Sequence, residues 1–386
     1  MNHDLIIVGG GLAGLSLAVA LRRSRLRVAI VEAHAPAAEQ PADWDARIYA
    51  ISPANARFLD SIGIWRHLDA NRMTPVQKMA VQGDGGGTLE FSAYASGIGA
   101  LAWIVAGAVL QRELWETVRR QGNLDLFCPA TPAGLEIGVD AATLTLADGR
   151  SLTAKLIVAA DGADSWTRTA AGITVDFQPY DQLGVVANFA TERPHHGTAW
   201  QWFRTDGVLA FLPLPGERIS IVWSTPTAHA QELLALDPQA FCARVAAAGK
   251  EQLGALERVT PPAGFPLRLM RAPRTVAHRL ALIGDAAHTI HPLSGHGINL
   301  GFQDAMSLAA LLADCPTHVD CGTLPWLRQH ERARREEVVA LQSVTHGLQR
   351  LFGTQQAPIA ALRNFGLNFV DRLPVVKDAL VRYAMG

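Results

Sequence analysis

Charge of either sign is scarce in this 386-residue chain. Only 18% of residues are charged, and 34 Lys and Arg against 35 Asp and Glu leave a net charge of −1. No global field draws such a chain to nucleic acid or to anionic lipid, so neither is an expected electrostatic partner. Cysteine is equally sparse. Cys128, Cys242, Cys315 and Cys321 form no C-x-x-C pair, which argues against a disulfide framework, a zinc ribbon and a thioredoxin-like site and points to a reducing, cytoplasmic setting. No signal peptide is expected either: MNHD is polar, and Gly9, Gly10 and Gly11 break the apolar run that follows. Residues 91–111 carry no charge, but they contain Ser92, Ser96, Gly97, Gly99 and Gly107, and read as short buried strands leading into a helix rather than as a membrane span. There is no internal repeat and no low-complexity tract. With 49% hydrophobic residues and a length beyond the roughly 250–300 residues one core supports, the chain is expected to form two domains, interleaved in sequence.

The N-terminus is the most informative segment. DLIIVG (4–9) is a short, continuous apolar run, as in a parallel strand buried on both faces. Gly9-Gly10-Gly11-Leu12-Ala13-Gly14 follows and satisfies G-x-G-x-x-G; a helical stretch then leads to VAIVE, which ends on Glu32. Gly9 permits a tight turn, Gly11 lets the backbone approach a pyrophosphate, and Gly14 lets the helix pack on the strand. The helix N-terminus offers free N–H groups to phosphate. An acid at the end of the second strand accepts from a ribose diol and repels a 2′-phosphate, so FAD or NAD is expected over NADP.

Two later segments extend the pattern. KLIVAA (155–160) reads as a buried strand leading into Asp161-Gly162-Ala163-Asp164-Ser165-Trp166-Thr167-Arg168. Residues 280–283 read as another strand, ending in Gly284-Asp285, with a Pro/Gly loop and a long helix from about Gly297 behind it. That arrangement sets one carboxylate at the carboxyl edge of an α/β sheet, and a helix N-terminus where negative charge on a reduced flavin would be stabilised.

Taken together, GGGLAG, AADGADSWTR and GDAAHTIHPLSGHGINLG resemble the class A flavoprotein aromatic hydroxylases, with the p-hydroxybenzoate hydroxylase fold, and more narrowly the ubiquinone-biosynthesis hydroxylases. ARIYAISPANARFLDSIGIW, FLPLPGERISIVWS and RLFGTQQAPIAALRNFGL support the likeness over most of the chain. The resemblance implies an α/β protein: a discontinuous Rossmann-like FAD domain (1–75, 104–175, 268–345), an inserted, mostly antiparallel substrate domain (76–103, 176–267) and a helical C-terminal tail (346–386). It implies FAD, with NAD(P)H as a transient co-substrate, in keeping with the lack of a second G-x-G-x-x-G. The implied reaction is hydroxylation of a prenylated phenol with dioxygen through a flavin C4a-hydroperoxide. The implied partners are that phenol and other ubiquinone-biosynthesis proteins, with peripheral contact at the inner membrane. Another aromatic or isoprenoid substrate, or a non-redox prenyl-binding escort on the same scaffold, stays open.

By matching positions, the cofactor set is Gly9, Gly11, Ala13, Gly14, Glu32 (adenosine ribose), Arg47 (pyrophosphate and mobile flavin), Arg112, Asp161, Asp285 (ribityl chain), Pro292 (beside the flavin ring), and Gly295, Gly297, Ile298 and Asn299 (its pyrimidine edge). No catalytic nucleophile or phenol-activating base is implied. Three positions depart from the family pattern: Ala106-Gly107-Ala108 stands for Glu-Asn-Arg, Gln201-Trp202-Phe203 for Gln-Arg-Phe, and Thr345-His346 for Thr-Asp. His288, His291 and His296 lack the ligand spacing of a metal site, so no metal is expected. Ser165 and Ser294 lack the G-x-S-x-G elbow of a hydrolase. Trp200, Trp202, Phe203, Phe211 and Trp223 read as sheet core with some members lining an apolar pocket, and ERARREE (331–337) as a solvated helix face.

Overall fold

The computed structural model describes residues 2–37, 44–45, 47–291, 295, 297–353, 357–371, 373 and 377. Five parallel strands lie in the order Leu280–Leu282, Ser151–Ala159, Asn2–Val8, Val28–Val31, Leu124–Phe127 and form the centre of one sheet. The N-terminal run is apolar throughout because both its faces are covered. Leu5 and Ile7 pack beneath helices, while Ile6 and Val8 pack on the side of the hairpin that includes Leu135 and Leu144.

The helices run in chain order as α1 (Leu12–Ala20), α2 (Pro53–Ser61), α3 (Gly107–Arg119), α4 (Trp166–Ala170), α5 (Thr227–Ala235), α6 (Pro238–Ala248), α7 (Gly297–Ala313), α8 (Leu324–Gly353) and α9 (Ala357–Asp371). Small residues bring α1 against α7: a Cβ on Gly301 would lie 3.4 Å from the Ala13 Cβ, and one on Gly284 only 3.2 Å from it. Ala13 is thereby a packing contact as well as a member of the first motif.

The second sheet is almost wholly antiparallel. It runs from His288–Thr289 through Ala263–Arg271, Asp176–Thr191, Arg218–Pro226, Gly207–Leu214, Thr198–Arg204 and Lys78–Gln82 to Thr88–Ser92. A three-stranded sheet (Ile48–Ile51, Ala102–Ala106, Met73–Val76) carries the segment that follows Arg47. The uncharged stretch 91–111 is the end of one strand, the strand Ala102–Ala106 and the start of α3, and no helix among the described residues is long and apolar enough to cross a membrane.

The C-terminal part is helical. α8 runs unbroken across residues 345 and 346. α9 lies on the edge hairpin of the second sheet. Asn364 Oδ1 accepts from the Gly85 and Gly87 N–H groups at 3.1 and 3.0 Å, and Asn368 and Asp371 accept from Thr88 and Glu90 N–H at 2.9 Å each. Those N–H groups belong to the hairpin turn and the edge strand, which α9 therefore caps. Arg363 pairs with Asp84 in the same turn. Gly83 and Gly87 are required there, because a Cβ on either would overlap Asn364.

Candidate active site

A cleft of about 1000 Å³ opens where the carboxyl ends of the parallel strands meet one face of the antiparallel sheet. Of the residues expected from sequence, Gly9, Gly11, Ala13, Glu32, Arg47, Asp161, Asp285, Gly295, Gly297, Ile298 and Asn299 all line it. Two do not. Gly14 lies behind it, where a Cβ would come 2.3 Å from the Gly9 carbonyl oxygen, so it serves helix-on-strand packing. Arg112, half-buried on α3, is not among the lining residues, and on that helix Gln111 instead reaches the glycine loop, its Nε2 donating to the Gly10 carbonyl at 3.1 Å. Pro292 lies outside the described residues, as do Ser294 and His296.

The dinucleotide end fits FAD on its own geometry. Gly9 has φ +110° with the Ala160 carbonyl where a side chain would be, whereas a Cβ on Gly11 would point into open space. That space lies over the α1 N-terminus, where no side chain caps the helix and no acid occupies the first turn. Its free N–H groups are an anion site. At the end of the second strand, Glu32 accepts from the N–H groups of Gly10 and of His34, the latter at 2.9 Å, so it orders the loop as well as facing the cleft. Glu32→Ala is expected to weaken FAD retention by about 1–3 kcal/mol while the fold survives, read as FAD content after dialysis. Unchanged occupancy would reduce Glu32 to a loop residue.

Asp161 turns to its own loop, accepting from Ser165 Oγ and from the backbone N–H and hydroxyl of Thr167, both at 2.9 Å. The buried Arg168 then ties this motif to the next by donating to the Ala286 carbonyl at 3.0 Å. Asp285 is different: it is open to the cleft, and no described residue hydrogen-bonds its carboxylate. The surrounding protein mass pushes its pKa up by desolvation, with His288 and Arg268 working against the rise.

Several supporting residues carried no motif signature. Asp304 is buried at the junction of three segments. It accepts from the Gly284 N–H at 3.0 Å, His288 Nε2 at 2.7 Å and Arg334 Nε at 2.8 Å. The one hint was that Asp304 is the sole charged residue in α7. Arg334 correspondingly turns inward from the ERARREE segment, which is not solvated along its whole length. Asn299 spends its amide on protein, donating to Ala50 O at 2.8 Å and accepting from the Ser52 N–H at 2.9 Å, so it staples α7 to the small sheet. The departure at 106–108 also has an explanation. α3 has no cap of its own, and Asp45 supplies one from the Arg47 segment by accepting from Ala108 N–H at 3.1 Å. Gly107 is needed because the Tyr49 ring lies 2.7 Å from where its Cβ would be. His288 and His291 face different partners, Asp304 and Gln182, and burial lowers the pKa of His291 to about 4. The five aromatics named from sequence are all buried and none lines the cleft; the wall is built from the smaller residues between them.

Comparison with known proteins agrees with this geometry. A family model described as an FAD binding domain matches residues 2–335. The ubiquinone hydroxylase UbiL of Rhodospirillum rubrum is 35% identical over 384 residues, covering 99% of this chain and 89% of that protein. The 3-demethoxyubiquinol 3-hydroxylase of Escherichia coli is 33% identical over 388 residues, covering 99% and 98%. Among solved structures, the p-nitrophenol 4-monooxygenase PnpA of Pseudomonas putida shares the fold, with a TM-score of 0.80 at 19% identity and 100% and 99% of the two chains covered. The chain belongs to the class A FAD-dependent aromatic hydroxylases, in the group of the ubiquinone-biosynthesis enzymes.

Proposed function

We propose that this protein hydroxylates the aromatic ring of a polyprenylated phenol in ubiquinone biosynthesis, with FAD as cofactor, dioxygen as oxygen source and NAD(P)H as reductant. The observation that carries the proposal is the two-part character of the cleft. One end is the glycine loop, Glu32 and Asp285; the other is an apolar wall that includes Val76, Met79, Phe91, Leu101 and Leu212. Such a wall suits an isoprenoid-bearing ring and excludes water from it.

Bound FAD supplies the redox and oxygen chemistry. In this reading the α1 N–H groups hold its pyrophosphate, Glu32 its ribose and Asp285 its ribityl hydroxyls. The N-terminus of α7, with Gly297 and Ile298, would hold the flavin's pyrimidine edge, where its dipole would stabilise negative charge. Arg47 contributes a cation to the lining of the cleft. The chain's remaining task is to hold the ring against the flavin. The test is direct: purified protein should be yellow, and a strain lacking the gene should accumulate a quinone precursor one ring hydroxyl short. A colourless protein that cannot be reconstituted with FAD would leave only the escort reading.

The same proposal includes peripheral contact with the bilayer that holds such precursors. It rests on Phe365 and Phe369 of α9, which are 65% and 53% exposed and stack at 6.0 Å. Because α9 caps the hairpin through Asn364, Asn368 and Asp371 and not through these rings, replacing them should spare the fold. Phe365→Glu with Phe369→Glu is expected to keep FAD content and melting temperature while sedimentation with zwitterionic vesicles falls several-fold. Undiminished sedimentation would move the contact elsewhere.

A further inference from the structure

The cleft-facing side of the antiparallel sheet is built by alternation along three adjacent strands. Ala199 and Gln201 come from Thr198–Arg204, Val208, Ala210 and Leu212 from Gly207–Leu214, and Val222 and Ser224 from Arg218–Pro226. Residues between them, Trp200, Trp202, Leu209, Phe211 and Trp223, point the other way into the core. Cross-strand register places Gln201 opposite Ala210, Ala210 opposite Val222, and Ser224 opposite Val208. In these three strands the wall thus contains five apolar side chains and two polar ones. Gln201 is 7% exposed and Ser224 is 3% exposed, yet neither side chain hydrogen-bonds a described residue. Nor does either contribute to the buried side-chain polar atoms that are sealed off without a partner. Their polar atoms therefore open onto the cleft itself.

A buried amide and hydroxyl with no protein partner are costly unless something in the cleft satisfies them. Aliphatic residues would make a better wall for a prenyl chain, and the five neighbours are such residues. The two exceptions thus mark where the ligand is polar. We infer that Gln201 and Ser224 recognise oxygen substituents on the substrate ring and set which ring is accepted. Gln201 offers both a donor and an acceptor to a phenol hydroxyl or a neighbouring oxygen, and Ser224 offers one hydroxyl. This rests on the proposed phenol reading and adds the residues that read the ring. A site built to hydrogen-bond a hydroxyl discriminates strongly against the analogue that lacks it, because its own buried groups are then left unpaired.

The test titrates FAD-loaded protein with 2-geranylphenol and with its deoxy analogue geranylbenzene, following the flavin absorbance and fluorescence change. Wild type is expected to bind the phenol at least about tenfold more tightly, the equivalent of roughly 1.4 kcal/mol. Gln201→Met, nearly isosteric but without the amide, should bind the deoxy analogue as wild type does and lose most of the preference, with FAD content unchanged. Ser224→Ala, which removes a single atom, carries the same test with the least disturbance to folding, and it should lower the preference in the same direction. If both variants keep the full preference, ring recognition by these residues is overturned while the phenol reading stands. If neither probe binds wild-type protein, the phenol reading itself fails and this inference falls with it.

Discussion

Asp304→Ala should destabilise the protein by about 3–5 kcal/mol and release its flavin. Asp304 is buried, and the two cations that face it, His288 at 2.7 Å and Arg334 at 2.8 Å, are buried as well. Removing one member of a buried ion cluster leaves the others desolvated and uncompensated. The substitution also frees the Gly284 N–H at the base of the Gly-Asp turn, so the flavin site loosens along with the core. Denaturant unfolding gives the first effect and FAD content the second. A variant that unfolds like wild type would show that the cluster does not hold the turn.

The same cluster carries a pH signature. The His288 pKa is raised: burial works against protonation, but the carboxylates of Asp304 and Asp285 outweigh it. Such a group stabilises the fold fully below the ordinary histidine value of about 6.5, and its contribution disappears as pH climbs through the raised one. The Asp304 pKa is lowered: burial opposes ionisation, and His288 and Arg334 overcome it. Its contribution is complete above the ordinary carboxyl value of about 3.9 and is lost only in strong acid. The pair is therefore at full strength between roughly pH 4 and 6.5 and weakens from the alkaline side. Melting curves from pH 5.5 to 9 should show this decline in wild type and a flatter profile in His288→Gln.

Asp285→Ala should yield mostly apoprotein without loss of fold. Each hydrogen bond to a charged acceptor contributes about 1.5–3 kcal/mol, so losing the ribityl acceptor should raise the FAD dissociation constant by at least about tenfold. Stability moves the other way. The carboxyl is open to the cleft, yet the protein mass around it raises its pKa by desolvation, so the ionised form is penalised in the cofactor-free fold, and that penalty grows as pH rises from the ordinary carboxyl value through the raised one. At pH 7 the cofactor-free Asp285→Ala protein should therefore be no less stable than cofactor-free wild type. If Asp285 were only a helix cap, its loss would lower stability and leave FAD affinity alone; but no N–H of a described residue donates to it. A fully flavinylated Asp285→Ala protein would refute the assignment.

The parts of this protein legible in its sequence are those set within a few dozen residues. The strand, glycine turn, helix and second strand ending at Glu32 obey local rules: an apolar run for a strand buried on both faces, positive φ at Gly9, and an uncapped helix N-terminus. The same holds for the Asp161 and Gly284-Asp285 turns, each of which follows a buried parallel strand. Pairing over long separations had no such signature. Asn364 caps a turn 279 residues away, Asn188 donates to the Asp45 carbonyl across 143, and Arg334 leaves a charged helix face to meet Asp304. Asp45 replaces the missing cap of α3 from 63 residues upstream, and Arg112 lies off the cleft although its helix reaches the glycine loop through Gln111. Alternation by itself separated the two faces of the strand Thr198–Arg204 but could not say which one meets the cleft. That was decided by packing: helices α5 and α6 cover the tryptophan face, and the face bearing Gln201 is left to the cavity. Local backbone preference repeats wherever the same residues recur, whereas the partner of a buried charge or the cover on a sheet face depends on which segments tertiary packing brings together.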